Sequence, residues 1–89
     1  MASYNIFFKR SAEKELRSIP KPFLSKILEK VKSLAQHPRP HGAQMLKGEK
    51  RYFRMRQGDY RIIYEVNDDA KTITIIKIGH RKEVYANAT

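Results

Sequence analysis

Residues 52–66 read YFRMRQGDYRIIYEV. Phe53 and Met55 alternate with Tyr52, Arg54 and Arg56. After Gly58-Asp59, Tyr60, Ile62, Tyr64 and Val66 alternate with Arg61, Ile63 and Glu65. Alternation with period two marks a half-buried strand, and Gly-Asp between two such runs is turn chemistry, so the stretch predicts an antiparallel hairpin. Successive side chains of a strand point to opposite faces. Phe53, Met55, Tyr60, Ile62, Tyr64 and Val66 therefore belong to a core side, and Arg54, Arg56, Arg61 and Glu65 share the other. A guanidinium is charged at any accessible pH, and its planar fork can hold two phosphate oxygens at once. A single arginine in such a place is commonly just a solvent-facing residue of an amphipathic sheet. The signal is the group.

Downstream, residues 67–71 read as a turn and TITIIKIGH (72–80) as a third strand. The ending IGHRKEVY (78–85) adds His80, Arg81 and Tyr85 to the candidate residues. Gly79 permits a bend, so alternation does not set the direction of Arg81, while Tyr85 offers a flat face on which an unpaired base can stack. Upstream, YNIFFK (4–9) is a short strand rich in aromatic and β-branched residues. Ser11 is placed to cap a helix over 12–19, whose Ala12, Leu16 and Ile19 fall at spacings of four and three. Pro20 ends that helix, and Pro22 suits the first turn of a second one reaching Gln36. Its apolar stripe is Phe23, Ile27, Val31 and Leu34 with Leu24, Leu28 and Ala35; Lys26, Lys30 and Lys32 fall mostly off it and read as solvated. HPRPHG (37–42) is a loop. The order is β-α-α-β-β-β, a single α+β domain over residues 1–89. Two N-terminal helices pack on one face of a mainly antiparallel, four-stranded twisted sheet.

Composition narrows the function classes. With 19 Lys and Arg against 9 Asp and Glu, the 89 residues carry a formal charge of +10, spread over both halves of the chain. Counterion release makes such a protein a binder of polyanions, and nucleic acid is the first partner to consider. There is no cysteine, so neither a disulfide framework nor a thiolate nucleophile is available. His37, His41 and His80 show no metal-ligand spacing, so neither a metal nor a cofactor is expected. No apolar run approaches the ~20 residues that span a bilayer, and the N-terminus lacks a secretory apolar segment, which predicts a cytoplasmic protein without membrane attachment.

With this element order and with the segments YFRMR, GDYRIIYEV and IGHRKEVY, the chain resembles the RelE branch of the RelE/ParE toxins, small basic partners in bacterial toxin–antitoxin pairs. The resemblance covers nearly the whole length; the first half matches generically and the last two segments more specifically. It implies a RelE-like fold and an endoribonuclease that cuts messenger RNA, in many members within the ribosomal decoding site. It also implies a heteromeric complex with a cognate antitoxin. By position, Arg54 and Arg56 match the basic pair of the second strand and Arg61 the arginine at the scissile phosphate. Arg81 matches the arginine at the end of the last strand, and Tyr85 the C-terminal tyrosine. The ParE branch instead inhibits DNA gyrase and generally lacks the C-terminal set, so GHRKEVY favours the nuclease. A gyrase inhibitor without nuclease activity and a non-catalytic RNA-binding module are the competing readings.

These residues suit metal-independent cleavage, in which the 2′-hydroxyl attacks the adjacent phosphorus in line and the 5′-oxygen leaves. Arg61 would hold the phosphate, Arg81 would stabilise the leaving side, and Tyr85 would orient a base. The general base is the departure from the family's lysine-using pattern, because an arginine cannot give up its proton. His80 is the natural substitute, since neighbouring guanidiniums would favour its neutral form. A strand-end histidine is more often a plain surface or packing residue. Glu65 is a rival base, although pairing with an arginine is its simpler role.

Overall fold

The computed structural model describes residues 3–46 and 48–80. They form β1 (Asn5–Phe8), α1 (Arg10–Arg17), α2 (Lys21–Ser33), β2 (Gln44–Leu46), β3 (Glu49–Gln57), β4 (Tyr60–Asn67) and β5 (Thr72–His80) in that order. The sheet has five strands in the order β1-β5-β4-β3-β2, with β1 parallel to β5 and the other pairs antiparallel. The expected α+β fold is present with one strand more than expected. The additional strand is β2, which Gly48, at φ +80°, turns back on β3. Residues 47–51 read KGEKR, without an apolar position, so periodicity carries no signal of this pairing.

The hairpin of residues 52–66 is as its alternation predicts. Gln57 faces Tyr60 across a two-residue turn whose first position, Gly58, has φ +62°, as a type II′ hairpin requires. The expected turn after β4 is also present: the Asn67 side chain accepts the Ala70 N–H at 3.0 Å, and Lys71 takes the left-handed conformation at φ +56°.

Both helices start and stop a little away from their expected ends. α1 begins at Arg10, with Lys9 rather than Ser11 in the capping position. The cause is the ladder beside it: the Lys9 N–H donates to the Ile75 carbonyl at 2.9 Å, which keeps Lys9 extended until the helix starts. α2 carries Pro22 in its first turn as expected and ends at Ser33, with residues 34–36 forming a turn. Phe23, expected on its buried stripe, is 53% exposed at the N-terminal rim and packs its ring on Tyr60 at 5.9 Å.

The core lies between the helices and one side of the sheet. Ala12, Ile19, Ile27, Val31 and Leu34 meet Phe53, Met55, Ile62, Tyr64, Val66, Ile73, Ile75 and Ile78, all buried. Each large side chain taken out of water contributes roughly 1.5–3 kcal/mol before chain entropy is subtracted. Ile73, Ile75 and Ile78 reach this side from both parities because β5 carries a bulge. Ile63 faces Lys77 while Tyr64 faces Ile75, which leaves Ile76 as the extra residue.

β1 pairs only with residues 72–75, so among the described residues the second half of β5 has no neighbouring strand on that side. α1 substitutes for it. The Glu15 carboxylate accepts the Ile78 N–H at 2.9 Å and the Lys77 ammonium at 2.6 Å. Charge-assisted bonds to half-buried donors are worth more than neutral ones, and removing the acceptor leaves the amide unsatisfied. Glu15→Ala is therefore expected to cost about 2 kcal/mol and to lower the melting temperature by roughly 8–16 °C. Glu15→Gln, which keeps an acceptor, loses less. Equal melting of Glu15→Ala and the parent by circular dichroism would remove this role.

Candidate functional site

Arg54, Arg56 and Arg61 reach a common face because β3 and β4 are paired without irregularity between residues 52 and 65. Arg56 stands directly across from Arg61. Arg54 faces Ile63 on one flank and Gln44 of β2 on the other, and Tyr52 faces Glu65. This is the side of the sheet turned away from the core, as the sequence predicts. Arg61 is nevertheless only 7% exposed, while Arg56 is exposed and Arg54 half-buried. The β5 partner of Arg61 is Gly79, which has no side chain. Like charges directly opposite one another across a ladder repel, and a buried charge is costly to desolvate. An anion between these guanidiniums would offset their mutual repulsion.

A cleft of about 320 Å³ opens beside them, lined by Gly42, Gln44, Arg54, Met55, Arg56 and Arg61. It forms where β2 leaves β3. Their pairing ends at Gln44 and Arg54, and Gly42, at φ +97°, carries the preceding loop away from the edge of β3. A second cleft of about 260 Å³ shares Gly42, Met55 and Arg56 and adds Lys30, Pro40 and His41. Gln44, Lys30 and His41 are neighbours of the arginines that the sequence does not reveal. Gln44 joins only through the β2–β3 register. The other two come from the outer side of a helix and from a proline-rich loop, and no periodic signal links either to the hairpin.

The loop that holds Gly42 is anchored over the sheet. The buried Tyr64 hydroxyl donates to the Pro38 carbonyl at 2.9 Å, and burial pushes the Tyr64 phenol up to about 12. Arg39 lies over the Phe53 ring at 5.4 Å and pairs with Asp68 at 2.7 Å, and Tyr4 donates to the same carboxylate at 2.6 Å. The hydrogen bonds from Arg39 and Tyr4 hold the Asp68 carboxyl below its ordinary range, and the Asp68 bond raises Arg39.

His80 is not brought to the arginines. Its partner in the ladder is Tyr60, its ring lies edge-on to the Tyr60 ring at 5.9 Å, and Tyr60 in turn packs on Phe23 of α2. This is the helix side of the sheet. The bulge at Ile76 is the physical reason, since it inverts the alternation of β5 and turns His80 to one side and Gly79 to the other. Among the described residues, Arg54, Arg56 and Arg61 lie on the opposite face of the sheet from the imidazole. The doublet Ile75-Ile76 followed by Ile78 is the sequence signal of this inversion. Glu65 lies on the arginine side, with its carboxylate 3.6 Å from the Arg51 guanidinium. Arg81 and Tyr85 lie outside the described residues. Among those described, no group of three or more His, Asp or Glu could hold a metal ion, and no helix is long and apolar enough to cross a membrane.

Comparison with known proteins agrees with this architecture. Residues 6–85 match the family model of the ParE toxin of type II toxin–antitoxin systems, parDE. Toxin RelG of Mycobacterium tuberculosis is 26% identical over 83 residues, covering 92% of this chain and 95% of its own. The toxin–antitoxin complex RelBE2 of the same organism contains a chain that is 28% identical, with a TM-score of 0.80 over 91% of this chain and 94% of that one. A chain of the archaeal RelE–RelB complex from Pyrococcus horikoshii is 33% identical, with a TM-score of 0.80 over 89% and 96%.

Proposed function

Because the chain belongs to the RelE/ParE superfamily of type II toxin–antitoxin toxins, we propose that it is an endoribonuclease that cuts messenger RNA in the ribosomal A site and so inhibits translation in the cytoplasm. The observation that carries this reading is the placement of Arg56 directly across from the buried Arg61, with Arg54 on the same face beside an open cleft.

The 2′-oxygen of one nucleotide forms a bond to the adjacent phosphorus as the bond to the 5′-oxygen breaks. The products are a 2′,3′-cyclic phosphate and a 5′-hydroxyl end. Charge grows on the non-bridging oxygens, where Arg61 and Arg56 can each offer a fork of donors, and a preorganised donor of this kind is worth about 10²–10³ in rate. Arg54 extends the positive face along the backbone. Arg81 at the leaving oxygen and Tyr85 against a base complete the set that the resemblance implies. No lysine is needed if alignment and charge supply most of the acceleration and the 2′-proton passes to solvent or ribosomal RNA.

His80 then has no part in proton transfer. His80→Gln is expected to change the cleavage rate less than about threefold and to leave its pH profile between 6 and 8 unaltered, as measured by single-turnover cleavage. A tenfold loss, or a shifted acid limb, would restore the imidazole as the base.

The charge of +10 also suits the partner. RelBE2 of M. tuberculosis is a toxin–antitoxin complex, and the P. horikoshii structure is a complex of RelE with RelB. A cognate antitoxin of this chain would present an extended acidic segment that folds as it wraps the basic domain.

The test is to add the purified protein to ribosomes stalled on a defined message with an open decoding site and to map the RNA ends, with a ribosome-free control. Ends within that codon support the reading. A folded, toxic protein that makes no ends but blocks gyrase supercoiling would replace it with gyrase inhibition. Salt-sensitive RNA binding without new ends would leave a binding module.

A further inference from the structure

The β2–β3 register sets Gln44 next to the arginines. It is exposed on the edge strand β2, it lines the 320 Å³ cleft, and its Oε1 accepts a hydrogen bond from Arg54 Nη2. A guanidinium can only donate, so this contact fixes the amide: the oxygen turns toward Arg54 and the NH₂ turns away from it. The cleft wall formed by Gln44, Arg54 and Arg56 thus presents donors, and its main acceptor is already engaged by Arg54.

From this we infer that Gln44 is a specificity residue that reads the base of a nucleotide seated in the cleft and favours keto bases, guanine and uracil, over amino bases, adenine and cytosine. The inference rests on the nuclease reading for the identity of the RNA. Unstacked RNA bases are read on their Watson–Crick and Hoogsteen edges. Guanine offers O6 and N7, and uracil offers O4, all acceptors that a donor wall can satisfy. Adenine and cytosine place an amino group at the equivalent position, where it meets further donors. The usual way for a glutamine to read adenine needs its oxygen to accept from the amino group; here Arg54 takes one of that oxygen's two lone pairs and aims the oxygen at itself. Arg56 lies two residues along β3 from Arg54 and faces Arg61, and all three line one cleft with Gln44, so a nucleotide whose phosphate is held between Arg56 and Arg61 can set its base against Gln44.

Two substitutions test it. Gln44→Leu removes the amide donors, the ones aimed by the Arg54 contact. Gln44→Glu supplies only acceptors and holds Arg54 as an ion pair, so it should turn the preference toward the amino bases. Ribosome-bound messages that differ in one nucleotide of the open codon are cleaved by the parent and by each variant, and the ratio of rates for guanine against adenine, and for uracil against cytosine, is the readout. In parallel, the proteins are titrated with GMP and with AMP by NMR, following the Gln44 side-chain amide in the parent and the Arg54 Nε–H in all three.

The parent should favour the keto base by at least about fivefold at one position of the codon. Gln44→Leu should bring that ratio near one, and Gln44→Glu should invert it. GMP should bind the parent more tightly than AMP and lose that advantage in Gln44→Leu. If the parent cleaves and its ratios are the same in all three proteins, Gln44 is not the reader and the nuclease stands. If the parent does not cleave but binds GMP selectively through Gln44, the base-reading role stands and the nuclease falls. Neither cleavage nor selective binding overturns both.

Discussion

Arg61→Ala is expected to lower the rate of messenger cleavage by at least a hundredfold with its far-ultraviolet circular dichroism unchanged. Several features concentrate the effect on this arginine. It is buried, its guanidinium stands across from Arg56, and its partner on β5 is a glycine. A donor fixed in a water-poor site stabilises developing charge without having to reorganise, and losing one such donor typically costs 10²–10³ in rate. Arg61→Lys should recover only part of the loss, because an ammonium keeps the charge but not the two-pronged geometry. Arg56→Ala, at an exposed position, should cost less than Arg61→Ala, since solvent can take over some of its role. Single-turnover rates on ribosome-bound message rank the variants. Arg61→Ala cleaving within about threefold of the parent would show that the buried guanidinium is not at the reacting phosphate.

The largest effect on stability is expected at Tyr64. Its ring is fully buried and stacked on Phe53 with centroids 5.8 Å apart, and its hydroxyl holds the 37–42 loop through the Pro38 carbonyl. Truncating a buried aromatic residue to alanine costs about 3–5 kcal/mol, and a domain of this length has a total stability on the order of 5–10 kcal/mol. Tyr64→Ala should therefore lose a third or more of that stability and melt at least about 12 °C below the parent by thermal circular dichroism.

Tyr64→Phe separates the hydroxyl from the ring. It should cost about 1 kcal/mol at pH 7 by leaving the Pro38 carbonyl without its donor. It should also change the response to base. The phenol is raised to about 12 in the folded chain by burial and ionises near 10 when unfolded. Between those values the folded state binds more protons than the unfolded one. The contribution of Tyr64 is therefore complete below pH 10 and is lost as pH rises toward 12. The unfolding free energy of the parent should fall more steeply than that of Tyr64→Phe across this window in urea titrations. Parallel slopes would show that the phenol is not protected by the fold.

The hairpin of residues 52–66 was readable because its information is local. Each side chain's direction follows from that of its neighbour, and a glycine at the first turn position permits the two-residue connection. Local patterning is less informative elsewhere. No apolar residue falls between Leu46 and Tyr52, so nothing in the pattern marks the fold-back of β2 on β3. Helical spacing puts Phe23 on the buried stripe of α2, although it is exposed in the first turn of that helix. Serine chemistry suits Ser11 as the cap, while the bond from Lys9 to Ile75 sets the start of the helix.

The sequence by itself determined the class of fold, the basic character of the chain and the sharing of one face by Arg54, Arg56 and Arg61, since charge is additive and strand direction is a property of adjacent residues. Tertiary structure alone decided what stands around those arginines. Gln44 reaches Arg54 only when β2 pairs with β3, and Glu15 completes β5 only because β1 stops short. His80 faces the helices because a single extra residue at Ile76 inverts the strand beyond it. A bulge or a pairing register minimises the energy of the whole sheet, so its consequences for one side chain are fixed by residues far away in the chain.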